Sequence, residues 1–241
     1  MRWILFVTLI AISALPSLGQ GWSTSLQRVG PDELLAFVQR LSLPAEEKSI
    51  WLAVLPGALE RELVDPTVAY TFFQRLASTP AYFVSELTAV MREVLAQGLP
   101  IDDLMNKASQ GIVMGRSWDL IIEEIRLRGA ILIATGSALA PHRPPAEART
   151  KASVRIGGWS LTMRTPTWED LVVEVAEAIS DYIVGGGDIN NWGAIEAFVR
   201  YRLSQLKGRG LPTDLVERAL GVLNSQFVGD IVSRAFMIER R

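Results

Sequence analysis

The chain has 241 residues, enough for one sizeable helical domain or two small ones, each able to bury a core without disulfides or metals. It carries 24 Lys and Arg against 26 Asp and Glu, a balance that lacks the strongly basic face needed for bulk nucleic-acid binding. With no cysteine and a single histidine, it excludes disulfides, thiol chemistry, lipidation at a leader cysteine and metal sites built from several histidines of one chain.

Residues 1–19 read as a secretory signal peptide. Arg2 supplies a positive start, Trp3 to Leu15 carry no charge, Pro16 breaks the run, and Ser17-Leu18-Gly19 offers the small residues that a signal peptidase needs. The uncharged run of 13 residues is shorter than the roughly 20 a membrane-spanning helix requires. Export to the periplasm or the extracellular space is therefore expected, and removal of Arg2 leaves a mildly acidic mature chain.

Pro31-Asp32-Glu33 opens an apolar pattern at Leu34, Leu35, Phe37, Val38 and Leu41, with acids facing the positive end of a short helix. Pro44 with Glu46 and Glu47 starts a second helix, which Pro56-Gly57 should kink or stop because proline lacks the amide donor. Asp65-Pro66 and Thr79-Pro80 each place a capping side chain before a proline at the first helical position, predicting helices over about 66–77 and 80–97. From Gly98 to Ala140 the pattern is a helical hairpin turning at Arg116-Ser117. Its last 12 residues, Gly129 to Ala140, are nearly all apolar and read as a buried core helix rather than a membrane span.

Residues 141–153 are polar and proline-rich, like a linker. Val154 and Ile156, then Trp159, Leu161 and Met163, alternate across Gly157-Gly158, which predicts a β-hairpin at 154–163. A lone hairpin is not stable in water, so it either lies on the helices or remains a loop. Thr165-Pro166 repeats the cap-and-proline start, and helices follow over about 167–184, 191–207, 212–223 and 226–239.

The two halves share a short repeat. Gly98-Leu99-Pro100 corresponds to Gly210-Leu211-Pro212, with glycine placed to close one helix and proline to start the next. Gly98, Leu99, Pro100, Leu104, Lys107, Gly111 and Gly115 spell G-L-P-x3-L-x2-K-x3-G-x3-G, which resembles a motif of exported bacterial helical proteins of unassigned activity. The resemblance covers 98–128 and, more loosely, 208–235; it departs at Gln110, where an acid usually precedes the glycine, and at Arg116-Ser117, which replaces a proline-containing turn. It implies an exported helical fold and brings no catalytic residues.

Candidate chemistries are few. His142, the single histidine, sits between Pro141 and Arg143 and reads as a surface side chain, since a Ser-His-Asp relay needs partners that this linker lacks. The run from Gly185 to Gly193 follows a helix and has no P-loop lysine. As a calcium loop it puts Trp192 and Val199 where side-chain oxygens are required, so it reads as a helix end, a turn and a cap at Asn190 or Asn191. Glu174, Glu177 and Asp181 share one face of a helix whose other face is Val172, Val173, Val175, Ala176 and Ile179, the pattern of a solvated stripe. Between 141 and 165, Arg143, Arg149, Lys151, Arg155 and Arg164 oppose only Glu147, a basic segment suited to contact with an anionic surface such as lipid headgroups or an envelope polymer.

These readings converge on an all-α fold of stacked antiparallel helical hairpins, a bundle or short solenoid with one small β-hairpin. The organisation is a leader at 1–19, helical blocks at 20–140 and 166–241, and a basic connector at 141–165. The expected function is non-catalytic: an exported structural or interaction protein that binds a protein partner or a second copy, with no cofactor and no metal or catalytic residue. Two alternatives stand beside it. One is peripheral binding of an anionic envelope surface through the basic connector. The other is a carboxylate-dependent hydrolase of an envelope polymer, which would need acids from distant segments about 5–9.5 Å apart in a cleft. N-terminal sequencing of the secreted protein should begin at Gln20, and a membrane-bound product retaining Met1 would contradict the leader.

Overall fold

The computed structural model describes residues 29–144, 151–156, 159–164, 166–208 and 211–239. Among them are ten α-helices: α1 (Pro31–Arg40), α2 (Ala45–Glu60), α3 (Pro66–Leu76), α4 (Ala81–Ala96), α5 (Asp102–Val113), α6 (Trp118–Leu139), α7 (Trp168–Val184), α8 (Trp192–Leu206), α9 (Thr213–Val222) and α10 (Ser225–Glu239). A single 3-10 turn, Ala140–His142, follows α6, and a two-stranded ribbon, β1 (Lys151–Ile156) and β2 (Trp159–Arg164), lies between it and α7. The fold is all-α, as the apolar period predicts. The ribbon extends beyond the expected 154–163, pairing Lys151 with Arg164 at its open end and Ile156 with Trp159 next to Gly157-Gly158, which lie outside the described residues.

Helix starts follow the chemistry of unsatisfied amides, though not always at the expected residue. Asp65 caps α3 as its sequence suggests, accepting from the Thr67 and Val68 amides at 2.8 and 3.1 Å. Thr79 does not cap α4: its hydroxyl donates to the Leu76 carbonyl at 2.9 Å, closing the preceding helix, and Pro80 stands at the cap position. At α7 the cap is Thr167, in a capping box with Asp170, rather than Thr165. Pro56 does not stop α2, which runs on to Glu60. Leu55 and Ala58 are both buried there, so core packing outweighs the missing amide.

Turns in which a left-handed residue sends the next amide back five residues end several helices. After α4, the Gly98 amide donates to Leu95 and the Leu99 amide to Val94, with Gly98 at φ +72°. After α5, Gly115 at φ +65° does the same with Ile112, and the Arg116 amide reaches Gly111. Glu62 takes this role after α2 at φ +56°, a non-glycine residue in a glycine conformation. In the second copy of the repeat the described left-handed residue is Gly208, while Gly210 lies outside the described residues. Leu99 and Leu211 are buried in the two copies, and their amides turn back to Val94 and Leu206. Pro212 immediately precedes α9, but Pro100 stands two residues before α5, whose first turn starts after Ile101.

The elements converge on α6. It packs against α4 and α5 of the first block and α7 and α10 of the second, so both helical blocks share it. Ile121, Ile125, Ala130, Ile131, Leu132, Ala134 and Leu139 are buried along its length, as the apolar run from Gly129 predicts. Among the described residues no helix is long and apolar enough to cross a membrane.

The glycines of the α5–α6 hairpin differ from a simple helix-propensity expectation, which would have alanine stabilise both Gly111 and Gly115. A Cβ on Gly111 would meet Ile121 Cγ1 at 2.8 Å, and Gly115 is left-handed. Gly98→Ala and Gly115→Ala should each cost about 1–2 kcal/mol in urea unfolding, and Gly111→Ala about 1–3 kcal/mol through crowding. A stabilised Gly111→Ala variant would contradict the close approach of α6 to α5.

Candidate functional site

Arg128 is the one charged side chain of α6 that is fully buried, at 5 % exposure. Its place follows from the helix period: it shares the buried face with Ile121, Ile125 and Leu132. A buried guanidinium must be matched by acceptors. One turn earlier Glu124 accepts from Nε at 2.9 Å, and across the interface Asp181 of α7 accepts from Nη2 at 2.9 Å. Nη1 is buried with no hydrogen-bond partner among the described residues.

Around this pair gathers a seam of charge where α5, α6, α7 and α8 meet. Asp181 also faces Lys107 of α5 at 3.9 Å and Arg202 of α8 at 3.5 Å, and Arg202 reaches Glu177 at 4.0 Å. Glu124 takes a second hydrogen bond from Arg116, in the α5–α6 turn. Asp103, in the first turn of α5, hydrogen-bonds to Glu177 of α7. Glu174 faces Glu177 and Arg202 from one helical turn away. Glu174, Glu177 and Asp181 are thus not a solvated stripe. They are the partly buried face that α7 turns toward three other helices, because α5 supplies a polar face opposite.

The seam distributes protons unevenly. Burial pushes the Asp103 carboxyl from 3.8 up to about 8, reinforced by its hydrogen bond to Glu177 and by that residue's charge, while Lys107 and Arg128 pull the other way. Burial and repulsion from Glu177 also raise Glu174, against the attraction of Arg202. Burial opposes ionisation of Glu124, but the hydrogen bonds and charges of Arg116 and Arg128 outweigh it and hold the carboxyl below its usual range. Arg128 is likewise penalised by burial and held charged by Glu124 and Asp181.

Chemically, this is a tightly occupied ion-pair network. Asp103 and Glu177, from segments 74 positions apart, interact directly, and the acids around them are held in ion pairs with Lys107, Arg116, Arg128 and Arg202. No group of three or more His, Cys, Asp or Glu that could hold a metal occurs among the described residues. The cavities lie elsewhere. One of about 630 Å³ runs between α2 and α4, lined by Val54, Ala58, Leu63, Arg92 and Leu95. Another, of about 240 Å³, is bounded by Leu99, Gly136, Arg143, Trp168 and Val172.

The basic connector is only partly assembled. Arg143 is exposed and donates to Glu169 of α7, so its charge is matched from outside the segment. Lys151, Arg155 and Arg164 are in the ribbon, where Lys151 pairs with Arg164 and Arg155 with Ser160, and Arg149 lies outside the described residues. His142 is half-buried, with its ring 6.4 Å from that of Phe227.

Sequence reasoning missed Arg128, Asp103 and Arg202, and read Lys107 only as a motif position. A signal was present: Glu124 and Arg128 at i and i+4 ahead of an apolar run, and acid–base spacing of four at Asp103 and Lys107. What no single helix shows is that these faces meet. Comparison of the chain with protein-family models, with curated proteins and with solved structures finds no match in any of the three.

The raised Asp103 carboxyl has a definite thermodynamic sign. The folded chain holds a proton that the unfolded chain releases near pH 3.8, so this contribution to stability is full below that value and is lost as the pH rises through about 8. Urea unfolding should show stability falling over this window by about 1–2 kcal/mol, reduced by partial hydration of the group. Asp103→Asn should flatten the profile; an unchanged slope in that variant would assign the proton elsewhere.

Proposed function

We propose that the protein acts after export as a non-catalytic helical interaction protein of the cell envelope or extracellular space, binding a protein partner or a second copy of itself. The supporting observation is the tip of the α5–α6 hairpin. Val113, Met114 and Leu120 flank a single turn and are 66, 73 and 53 % exposed. Apolar side chains clustered at the end of a rigid hairpin suit a contact surface, since burying each against another protein is worth about 1.5–3 kcal/mol. Nearby, Tyr82 is exposed beside Phe83, whose ring packs on Trp118 at 4.8 Å.

The hydrolase alternative finds less support, because Glu124 and Asp181, acids of the converging network, are engaged by Arg116, Arg128, Lys107 and Arg202. Peripheral binding of an anionic surface is favoured by one specific observation, the strand pairing that sets Lys151 opposite Arg164 at the open end of the ribbon.

Sedimentation velocity over a range of protein concentrations addresses the self-association form directly. A dimer weakened about tenfold or more by Met114→Glu, a loss of roughly 1.4 kcal/mol, is the expected result. Hydrolysis of purified envelope polymer that disappears in Glu177→Gln would contradict the non-catalytic reading. Co-sedimentation with phosphatidylglycerol vesicles that falls with added salt and with Arg155→Ala would move the assignment to the anionic-surface alternative.

A further inference from the structure

The end of α6 opposite the hairpin tip, about 25 Å away along the helix, is built around a space. There the 22-residue helix reaches the turn after α4. Gly98 at φ +72° turns the chain so that Leu99 lies across α6, and Gly136 leaves room for it: a Cβ at Gly136 would be 2.9 Å from Leu99 Cδ1. The chain leaves α6 through the 3-10 turn at Ala140–His142, which carries Arg143 to the first turn of α7, where Glu169 accepts from it. Trp168, the first residue of α7, forms a further wall. The result is the cavity of about 240 Å³. Gln97, Gly98, Arg143 and Glu169 also border an open polar hollow of about 650 Å³, so the two spaces adjoin.

Two features of the walls describe an occupant. Trp168 is 6 % exposed, and its indole N–H is buried with no hydrogen-bond partner among the described residues. Burying a donor without an acceptor is unfavourable, so an oxygen from outside the chain is needed at this wall. The second feature is charge. Among the described residues the ionisable walls of the cavity are Arg143 and Glu169, which pair with each other, and the hollow adds one of each sign, Arg61 and Glu60. Asp170, beside Glu169, is engaged by the Thr167 amide and hydroxyl of the capping box. An occupant with a net charge would be left unmatched here, and an uncharged one would not. Ser137 and Gln97 both donate and accept, Glu169 accepts, and Arg143 keeps N–H donors beyond the one that Glu169 engages. Hydroxyl groups, themselves donors and acceptors, satisfy such a mixed set best. The volume is below the roughly 300–1,000 Å³ of drug-sized ligand sites, which leaves room for one small ring.

We propose that the cavity binds one residue of an uncharged, hydroxyl-rich glycan whose neighbouring residues lie in the polar hollow. The Trp168 indole donates to a sugar oxygen, Arg143 and Glu169 hold adjacent hydroxyls without giving up their own pair, and the C–H face of the ring covers the apolar walls Leu99, Ile133 and Val172. No covalent bond is made or broken. The site goes beyond the interaction role of the apolar hairpin tip, lies at the other end of α6, and does not depend on what the tip binds.

Proton–nitrogen correlation NMR of the indole groups reads the site directly, with the Trp168 signal assigned by its loss in Trp168→Phe. The probes are the uncharged trisaccharides maltotriose, cellotriose and chitotriose, the anionic trigalacturonate, the cationic triglucosamine and the uncharged peptide acetyl-trialanine-amide. The expected result is a saturable downfield shift of the Trp168 indole proton with at least one uncharged trisaccharide, bound about tenfold or more tighter than either charged trimer. Calorimetry should show Trp168→Phe weakening that binding about tenfold. Ser137→Phe, at an exposed position on the cavity wall, should abolish it, and serves if the first variant folds poorly. Glu169→Gln leaves Arg143 without its counter-charge and should raise the affinity for trigalacturonate relative to the uncharged trisaccharide by about tenfold, a change in preference that a merely structural role would not produce. A Trp168 signal unmoved by all three uncharged trisaccharides overturns the proposal. So does a charged trimer or the peptide binding as tightly, and so does sugar binding that persists unchanged in both Trp168→Phe and Ser137→Phe.

Discussion

Burial of α6 among four helices is the constraint from which the rest of the structure follows. A helix packed by α4, α5, α7 and α10 must be apolar almost all round, and from Gly129 onward it is. Close approach is part of the same demand: a Cβ at Gly129 would lie 2.6 Å from Val90 Cγ1, so α4 can sit this near only over a glycine. Arg128 is the exception that the surrounding helices accommodate. Leaving it unpaired would cost about 3–5 kcal/mol, which ties Glu124 and Asp181 to it and thereby sets how α7 lies along α6.

That single buried charge explains why the polar residues of four helices collect in one place. Once Asp181 is drawn to Arg128, its helical neighbours Glu177 and Glu174 are drawn in as well, and Lys107 and Arg202 answer them from α5 and α8. Burial of Asp103 makes retention of a proton cheaper there than retention of the charge. A cluster of acids with a raised carboxyl invites a catalytic reading. Here the groups are committed to one another in ion pairs across helix interfaces.

Much of this architecture is legible along the chain, for physical reasons that operate within a few residues. Apolar spacing finds each helix, and the Asp65-Pro66 pair marks the start of α3 because cap and proline act locally. Legibility fails where a distant segment decides. Thr79 lies between the carbonyl-rich end of α3 and the amide-rich start of α4, and its hydroxyl donates to the former instead of accepting from the latter. Pro56 is carried inside α2 by the burial of Leu55 and Ala58 on either side of it. Gly111 looks free to become alanine until Ile121 is placed against it. The face holding Glu174, Glu177 and Asp181 is visible as a face, but its partner begins 74 positions earlier, at Asp103, and nothing local announces that the two meet. The basic connector is legible as charge alone; the pairing of Lys151 with Arg164 comes only from the fold.

Native-state hydrogen exchange resolved along the sequence tests most directly the claim that α6 joins both helical blocks. The account predicts that amides of α6 between Ile121 and Thr135 are the slowest to exchange, opening only with the same free energy as α4 on one side and α10 on the other. Exchange of α6 at the free energy of one block alone, with the helices of the other block opening separately, would contradict it.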